Sequence, residues 1–335
     1  MRSRLMLAAI AAVVFTGGSA AQERPRQRFN PVIAVLEQGK PVFGVATPSA
    51  GRGGGRGGRG ADSGAAAAPA VVKTPADLAR EAIAYKSADF MFNGGMERGL
   101  DRGLPAFTDF VTAMGQAGAL SRAPYPHLTH PLAVKVPSID ADTARASENI
   151  SRQLNVGVSI MNFVGVDNPE ELRRGIAAMR FKSKGGTRSD DVGMAPAYWG
   201  MTEQQYRDKA DVWPLNPNGE LIAMPIIESA EGVTKVREIA QVPGVGGLIV
   251  GAGTLRSVYR TTNAEGQRVA DPAAWEAAIQ QILAACKEFK LACGYPAYDN
   301  DIEERMKQGF NVFIIQDFGE RGFRAVEIGR RAGGR

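Results

Sequence analysis

The chain contains 335 residues, of which 44% are hydrophobic and 22% are charged, and its formal net charge is +5. This length and apolar content suffice for one large buried core. No run of about 18 apolar residues occurs, so the composition predicts no membrane-spanning helix. The net charge falls to +3 without Arg2 and Arg4, and three further arginines lie together in one low-complexity loop. The remaining body is therefore near neutral, and its composition gives no indication of a nucleic-acid-binding surface.

The amino-terminal segment has the order of a secretory signal peptide. Arg2 and Arg4 precede an apolar run, Leu5–Phe15, and small residues then continue to Ala21. The run is too short to span a membrane. We therefore predict cleavage after Ala21, export to a bacterial periplasm or secretion, and a mature domain that covers residues 22–335.

Apolar runs of strand length alternate with segments of helical periodicity along most of the chain. The predicted strands are Pro41–Val45, Phe90–Asn93, Leu132–Val136, Ser159–Phe163, Leu221–Ile227, Gly247–Val250, Leu291–Gly294 and Val312–Gln316. The predicted helices are Pro75–Tyr85, Pro105–Met114, Thr143–Leu154, Pro169–Met179, Val233–Ile239, Ala273–Phe289, Ile302–Gln308 and Phe323–Arg330. Strands that alternate with helices favour parallel βαβ units, and eight is the strand number of a (β/α)8 TIM barrel. We predict this α/β fold for the mature chain, in a single domain.

Two segments interrupt this alternation. The first, residues 49–70, is rich in glycine, arginine and alanine. It cannot bury enough apolar surface to fold, so we expect a solvated insertion without an RNA-binding role. The second, residues 181–220, is a long connection that contains Trp199, Tyr206 and Trp213. Long loops on compact domains are usually functional, but structural packing is the expected role of these aromatic residues, with closure over a ligand or contact with another subunit as the alternatives.

Two cysteines, Cys286 and Cys293, lie on a predicted helix and on the strand that follows it. Small thiols at such positions are commonly buried. We expect two buried free thiols, with a disulfide as the alternative that an exported protein permits. A zinc site is not expected, because no set of four soft ligands occurs at a usual spacing.

One acidic residue, Glu228, is placed at the end of a predicted strand. It lies in the segment Met224–Gly232, MPIIESAEG, which is followed by a helical stretch and then by Val242–Leu255, VPGVGGLIVGAGTL. Because the active sites of TIM barrels form at the carboxyl ends of the strands, Glu228 is the first candidate for a functional residue. Asp317 follows the eighth predicted strand, where it either caps the next helix or lines the site.

The spacing of these two segments, hydrophobic-hydrophobic-Glu-x-x-Glu-Gly and then Pro-Gly-Val-x-Gly, resembles the HpcH/HpaI aldolase and citrate lyase family. Weaker matches follow in the family's order, with KPVFG at 40–44, ADFM at 88–91, NPEE at 168–171 and GF at 309–310. The resemblance implies a TIM barrel, carbon–carbon lyase activity on a small carboxylate substrate such as a 2-oxo acid, and a homo-oligomer. It also implies a divalent metal, Mg²⁺ or Mn²⁺, that stabilises an enolate.

Compared position by position with the family pattern, the metal site is altered. Glu228 matches the glutamate ligand, but Thr254 stands where the family has an aspartate ligand. A neutral hydroxyl is a weaker ligand for a hard cation than a carboxylate. Gly251, Ala252 and Thr254 are predicted to bind the substrate.

The positions that hold the substrate oxygens and move the proton are altered as well. After the second strand, Glu97 is kept, but Arg98 replaces the family's histidine and cannot act as a base near neutral pH. Lys135 replaces the arginine of the third strand, which preserves the charge but not the planar fork. Ser159 stands at the position of a family glutamine and is predicted to bind substrate. His130 lies before the third strand, where a structural role is expected, and the candidates to replace the missing base are His130 and a metal-bound hydroxide.

One arrangement compatible with a metal remains. Glu228 and Glu97 are predicted to share a divalent ion, with Lys135 and Arg98 as catalytic cations. The leading hypothesis is therefore a lyase that acts on a small 2-oxo acid or related carboxylate through a metal-stabilised enolate. The alternative is a periplasmic barrel that has lost the metal and binds a small anionic ligand. Thr254 and Arg98 favour the alternative, whereas Glu228 and Glu97 favour the enzyme.

Overall fold

The structure of the protein is a computed structural model that describes residues 26–50, 72–140 and 142–335, and only the backbone of Arg98. The predicted signal peptide, 1–21, lies outside the described residues. So do residues 51–70 of the predicted insertion. Both therefore remain predictions.

Eight parallel strands form a closed barrel, in which neighbours pair in chain order and the eighth strand pairs with the first. They are β1 (Val42–Ala46), β2 (Phe90–Asn93), β3 (Leu132–Val136), β4 (Ile160–Phe163), β5 (Leu221–Ile227), β6 (Gly247–Val250), β7 (Ala292–Tyr295) and β8 (Val312–Ile315). The predicted TIM barrel is thus confirmed. Four strands have the predicted bounds, and the others differ by a single residue at one or both ends.

Helices surround the strands, most of them on the outside of the barrel. They are α1 (Pro31–Glu37), α2 (Pro75–Ala84), α3 (Leu100–Gln116), α4 (Thr143–Leu154), α5 (Pro169–Met179), α6 (Ala195–Trp199), α7 (Glu203–Lys209), α8 (Ala230–Thr234), α9 (Val236–Ala240), α10 (Ala252–Val258), α11 (Pro272–Phe289), α12 (Ile302–Gln308) and α13 (Glu320–Ala332). The predicted helix Val233–Ile239 is in fact split into α8 and α9. Within the described ranges, no helix has the length and apolar character needed to cross a membrane.

The first turns of α3 differ most from the prediction. This helix was predicted to begin at Pro105, but it begins at Leu100 and contains the proline. Pro105 removes only one backbone hydrogen bond here, the one that its missing N–H would donate to the carbonyl of Asp101. The predicted boundary was wrong because a proline near the start of a helix does not have to be its first residue.

The barrel interior is filled by alternate residues of the strands, as a period of two requires. The inward apolar residues are Val42, Phe90, Phe92, Ala133, Ile160, Ile222, Met224, Ile226, Ile249, Val312 and Ile314. Val32 and Ile33 of α1 pack against this set. The backbone of Asn30 donates to Glu220 Oε2 at 3.0 Å, beside the first residue of β5. The α1 helix therefore closes the amino-terminal end of the barrel.

The long connection 181–220 lies between α5 and β5, and so at the amino-terminal end of the strands. Trp199 and Tyr206 are fully buried in it, and Trp199 Nε1 donates to the carbonyl of Gly157 at 3.0 Å. The expected structural packing of these aromatics is confirmed. Closure over a ligand at the catalytic end is ruled out, because the connection enters β5 at the opposite end.

The expectation of two free thiols is wrong, since Cys286 of α11 and Cys293 of β7 form a disulfide. Their Cα atoms are 5.7 Å apart. The reason is the turn between the two elements: Lys290 ends α11 in the left-handed conformation, with φ of 55°, and Leu291 N donates to the carbonyl of Cys286 at 2.9 Å. The chain therefore folds back at once and brings the two side chains together.

Candidate active site

A cavity of about 400 Å³ opens at the carboxyl ends of the strands. Its wall is formed by apolar side chains, which are Phe92, Ile226, Ile249, Pro296 and Ile314. The side chains that bring polar atoms to it are Lys135, Glu228, Thr254, Ser257 and Gln316. A cavity of this size, apolar with a few convergent polar groups, is typical of a small-molecule site.

Glu228 follows the last residue of β5 and lines this cavity, as predicted. Within the described part of the chain, its carboxylate forms no ion pair and accepts no hydrogen bond. Gly251 lies beside it after β6, and its N–H donates to the carbonyl of Ile227 at 2.9 Å. An ideal Cβ on Gly251 would be 2.9 Å from Glu228 Oε2. The carboxylate of Glu228 therefore occupies space that a side chain at residue 251 would otherwise fill.

The short helix α10 supplies another wall of the cavity. Gly251, Ala252 and Thr254, all predicted to bind substrate, lie at its beginning and line the cavity. Trp275 of α11 fixes this helix, because its Nε1 donates to the carbonyl of Ala252 at 2.9 Å. The three predicted residues are thus brought together with Glu228.

Lys135 enters the same cavity from β3. Its Nζ donates to Glu97 Oε2 at 2.9 Å, and the two side chains are 20% and 28% exposed. Glu97 belongs to a one-turn 3-10 helix, Gly95–Arg98, that follows β2. Gln153 holds the strand from the other side, donating through Nε2 to the carbonyl of Lys135 at 3.2 Å. The ammonium group is therefore held in place by Glu97 and by the fixed end of β3.

Glu97 lines a second cavity of about 450 Å³ beside the first, together with Asp101, Asp142 and Arg145. The predicted pairing of Glu97 with Glu228 around one ion is therefore not what the structure shows. The carboxylate of Glu97 already binds the ammonium of Lys135. The side chain of Arg98 lies outside the described residues, so its predicted catalytic role remains a prediction.

Two predicted residues lie at the other end of the barrel. Ser159 precedes β4 and is fully buried, and its carbonyl accepts from Ile222 N at 2.8 Å near the start of β5. It cannot reach a cavity at the carboxyl ends, so its assignment to substrate binding is corrected. The inward polar residue of this strand is Asn162, the register partner of Lys135.

His130 is also remote from the cavity, and its assignment as a replacement base is corrected. It is buried before β3, with Nε2 3.0 Å from the carbonyl of Tyr85 and Nδ1 3.0 Å from Thr129 Oγ1. Burial lowers the pKa of His130. A neutral histidine with both ring nitrogens engaged has the structural role that its place before the strand predicts.

Gln316 and Asn162 were missed by the sequence analysis, although the period of two could have found them. Gln316 continues the inward series of β8 after Ile314, and Asn162 continues that of β4 after Ile160. Asn162 Nδ2 donates to the carbonyl of Val134 at 3.2 Å. Asp317, by contrast, accepts from Gly322 N at 2.8 Å, so it caps α13.

The residues of the cavity do not fit a divalent metal. Glu228 is the one carboxylate among the described residues that line it, and Thr254 offers a neutral hydroxyl where a second carboxylate is needed. Among the described residues there is no group of three or more His, Cys, Asp or Glu that could hold a metal ion.

The family model for HpcH/HpaI aldolase/citrate lyase matches residues 113–319. The protein therefore belongs to this family. Membership supports a carbon–carbon lyase function. Members of the family act on small carboxylate substrates, are often oligomers and are generally dependent on a divalent metal. The alternative of a binding protein without activity is not favoured.

Individual relatives agree with this assignment. A hydroxypyruvate/pyruvate aldolase of Paraburkholderia phytofirmans is 27% identical over 230 residues, which are 67% of this chain and 75% of the relative. An HpcH/HpaI aldolase/citrate lyase family protein from Burkholderia cenocepacia J2315 superposes with a TM-score of 0.60 at 21% identity, over 90% of this chain and 97% of that protein. The citrate synthase SbnG gives a TM-score of 0.52 at 19% identity, over 89% and 93% of the two chains. These structural likenesses show the fold alone.

Proposed function

We propose that the protein is a carbon–carbon lyase that cleaves a 4-hydroxy-2-oxo acid into an aldehyde and a pyruvate-type 2-oxo acid. The observation that carries the proposal is that the carboxylate of Glu228 and the ammonium of Lys135 line one small cavity at the catalytic end of the barrel. The name of the relative from P. phytofirmans, a hydroxypyruvate/pyruvate aldolase, supports a 2-oxo acid as the substrate class.

In the proposed reaction, Lys135 binds the substrate's carboxylate and ketone oxygens. Glu228 removes the proton of the C4 hydroxyl as a general base. The C3–C4 bond then breaks, its electron pair forms the enolate of the 2-oxo acid, and the aldehyde leaves. Lys135 lies where it offsets the negative charge of the enolate oxygen. Glu228 returns its proton to C3, which completes the cycle with all atoms and electrons balanced.

The apolar wall has a part in this chemistry. Phe92, Ile226, Ile249 and Ile314 surround the polar groups with side chains that cannot hydrogen-bond. A less polar environment strengthens the attraction between the ammonium and a developing enolate. The apolar wall therefore stabilises the enolate only when the enolate is bound to the ammonium of Lys135.

The test is release of pyruvate from a panel of 4-hydroxy-2-oxo acids, followed with lactate dehydrogenase and NADH. We expect Glu228→Gln to lower kcat by about a hundredfold or more, because it removes the base. The matched control is Glu231→Gln, three residues later on α8, where the side chain is 57% exposed and pairs with Lys235 at 2.7 Å. Full activity in Glu228→Gln, or equal losses in both variants, would contradict the role of Glu228.

Export and assembly are further parts of the proposal. We propose that the chain is exported by its first 21 residues and that the mature protein forms a homo-oligomer, as members of the family often do. Amino-terminal sequencing of the protein from a periplasmic fraction tests the first point. Light scattering of the purified protein tests the second.

A further inference from the structure

We propose that this site binds its 2-oxo acid without a divalent metal, and that Lys135, held by Glu97, supplies the positive charge that a metal supplies elsewhere in the family. The inference rests on the proposed function and deepens it, because it states how the anionic substrate is recognised. It also gives two altered positions of the family pattern, Thr254 and Lys135, a common explanation.

The first support is the position of the ammonium group. Lys135 is an inward residue at the carboxyl end of β3, and it lines the cavity that contains Glu228. Its Nζ is 2.9 Å from Glu97 Oε2, and both groups are partly buried. A cation is therefore already present in the cavity as part of the chain.

The second support is the balance of charge. Glu228 and Glu97 each carry one negative charge and Lys135 carries one positive charge, so these three side chains sum to −1 before the ligand binds. A divalent ion on Glu228 would change this sum to +1. Thr254 removes the carboxylate that would complete the compensation. The loss of this carboxylate weakens a metal site, whereas a site that uses an ammonium does not need the carboxylate.

The third support is the state of Glu228. Within the described residues its carboxylate has no bonding partner, and Gly251 leaves it room in the cavity wall. A carboxylate that serves as a metal ligand is not available as a base, whereas a free carboxylate next to the substrate is. In this proposal Lys135 binds the anion, and Glu228 transfers the proton.

The experiment is a calorimetric titration with oxalate, an analogue of the enolate of pyruvate, into the mature protein after treatment with chelator. The titration is done in EDTA and repeated in excess Mg²⁺ and in excess Mn²⁺. We expect the same Kd in all three buffers. Binding that appears only with a metal would overturn the inference and leave the lyase proposal intact. Absence of binding in every buffer, together with absence of pyruvate release, would contradict both.

Variants of Lys135 test its assigned role in the same titration. We expect Lys135→Met to weaken oxalate binding at least about tenfold, the scale of a charge-assisted hydrogen bond, and Lys135→Arg to retain most of the affinity. The control is Lys307→Met, on the exposed carboxyl-terminal part of α12, which should bind as the wild type does. Unchanged affinity in Lys135→Met would overturn the inference. The comparison of buffers in the wild type needs no variant, so the inference stays testable if a variant fails to fold.

Discussion

Gly251 packs directly against Glu228, where the end of β6 passes the end of β5. A β carbon on Gly251 would lie 2.3 Å from Cβ of Glu228, far closer than two carbon atoms can approach. Any side chain at residue 251 must therefore displace Glu228 or separate the two strands. Gly251 therefore helps to position the carboxylate of Glu228, because it has no side chain.

Gly251→Ala is expected to lower the free energy of unfolding by about 1–3 kcal/mol, the usual cost of overpacking, and to abolish pyruvate release. Gly115→Ala in α3, which does not line the cavity, is the control, because the nearest atom to its added Cβ is Tyr198 Cδ2 at 3.5 Å, an ordinary contact, and alanine is preferred to glycine in a helix. Urea unfolding and the lyase assay measure both effects. Equal stability and activity in the two variants would mean that the contact does not position Glu228.

Two tryptophans offer a comparison between the two ends of the barrel. Trp275 Nε1 donates to Ala252 O at 2.9 Å beside the cavity, whereas Trp199 Nε1 donates to Gly157 O at 3.0 Å in the buried packing of the long connection. We expect Trp275→Phe to weaken oxalate binding several-fold, since α10 loses its anchor. Trp199→Phe should leave the affinity unchanged while it costs about 1–3 kcal/mol of stability through an unpaired buried carbonyl. The reverse pattern would indicate that oxalate binds at the amino-terminal end of the barrel, contrary to the proposed site.

Glu171 should make the protein less stable as the pH rises. Burial raises the pKa of Glu171 from its ordinary value of 4.5 to about 7. Between these values the folded protein keeps a proton that the unfolded chain releases, so the free energy of unfolding falls as pH increases, by up to about 3 kcal/mol. Glu171→Gln should remove this component.

The measurement is urea unfolding at pH 5 and pH 8. Glu170→Gln is the control, because Glu170 is 60% exposed and pairs with Arg173 at 3.1 Å. It should keep the pH dependence of the wild type. Identical slopes in all three proteins would show that Glu171 does not hold its proton in the folded state.

Reduction of the disulfide between Cys286 and Cys293 should lower stability. The two cysteines are seven residues apart, and closing a loop of this size removes about 2–3 kcal/mol of chain entropy from the unfolded state. Thermal unfolding with and without a phosphine reductant measures the change. In the double variant Cys286→Ala, Cys293→Ala the reductant should have no effect. If a thiol reagent modifies both cysteines in the denatured wild type without prior reduction, the protein contains no disulfide.

The barrel could be predicted because its strands alternate in a simple way. Ile222, Met224 and Ile226 face inward, so Glu228 must follow them into the catalytic end. The same rule predicts Gln316 after Ile314. Residues at strand ends that continue the inward alternation could therefore be predicted from the sequence.

Other errors arose where a motif match was preferred to the position of a residue within its strand. Ser159 was placed in the site by matching a family position, although the predicted strand Ser159–Phe163 already put it at the amino-terminal end, and the structure places it directly before β4. Asn162, three residues later, is the inward polar residue. The disulfide escaped prediction because it depends on Lys290, a residue without a strong preference for the left-handed turn it adopts.

The most direct test of the central claim is exchange of the methyl protons of pyruvate in D₂O, followed by proton NMR with the mature protein in EDTA. Exchange requires the enolate but no knowledge of the aldehyde. We predict that the wild type removes the methyl signal without added metal, that Glu228→Gln and Lys135→Met are slower by about a hundredfold, and that Glu231→Gln exchanges normally. A methyl signal that persists with the wild type, in EDTA and in Mg²⁺ alike, would contradict an enolate-forming site. Exchange only in the presence of metal would contradict the role assigned to Lys135.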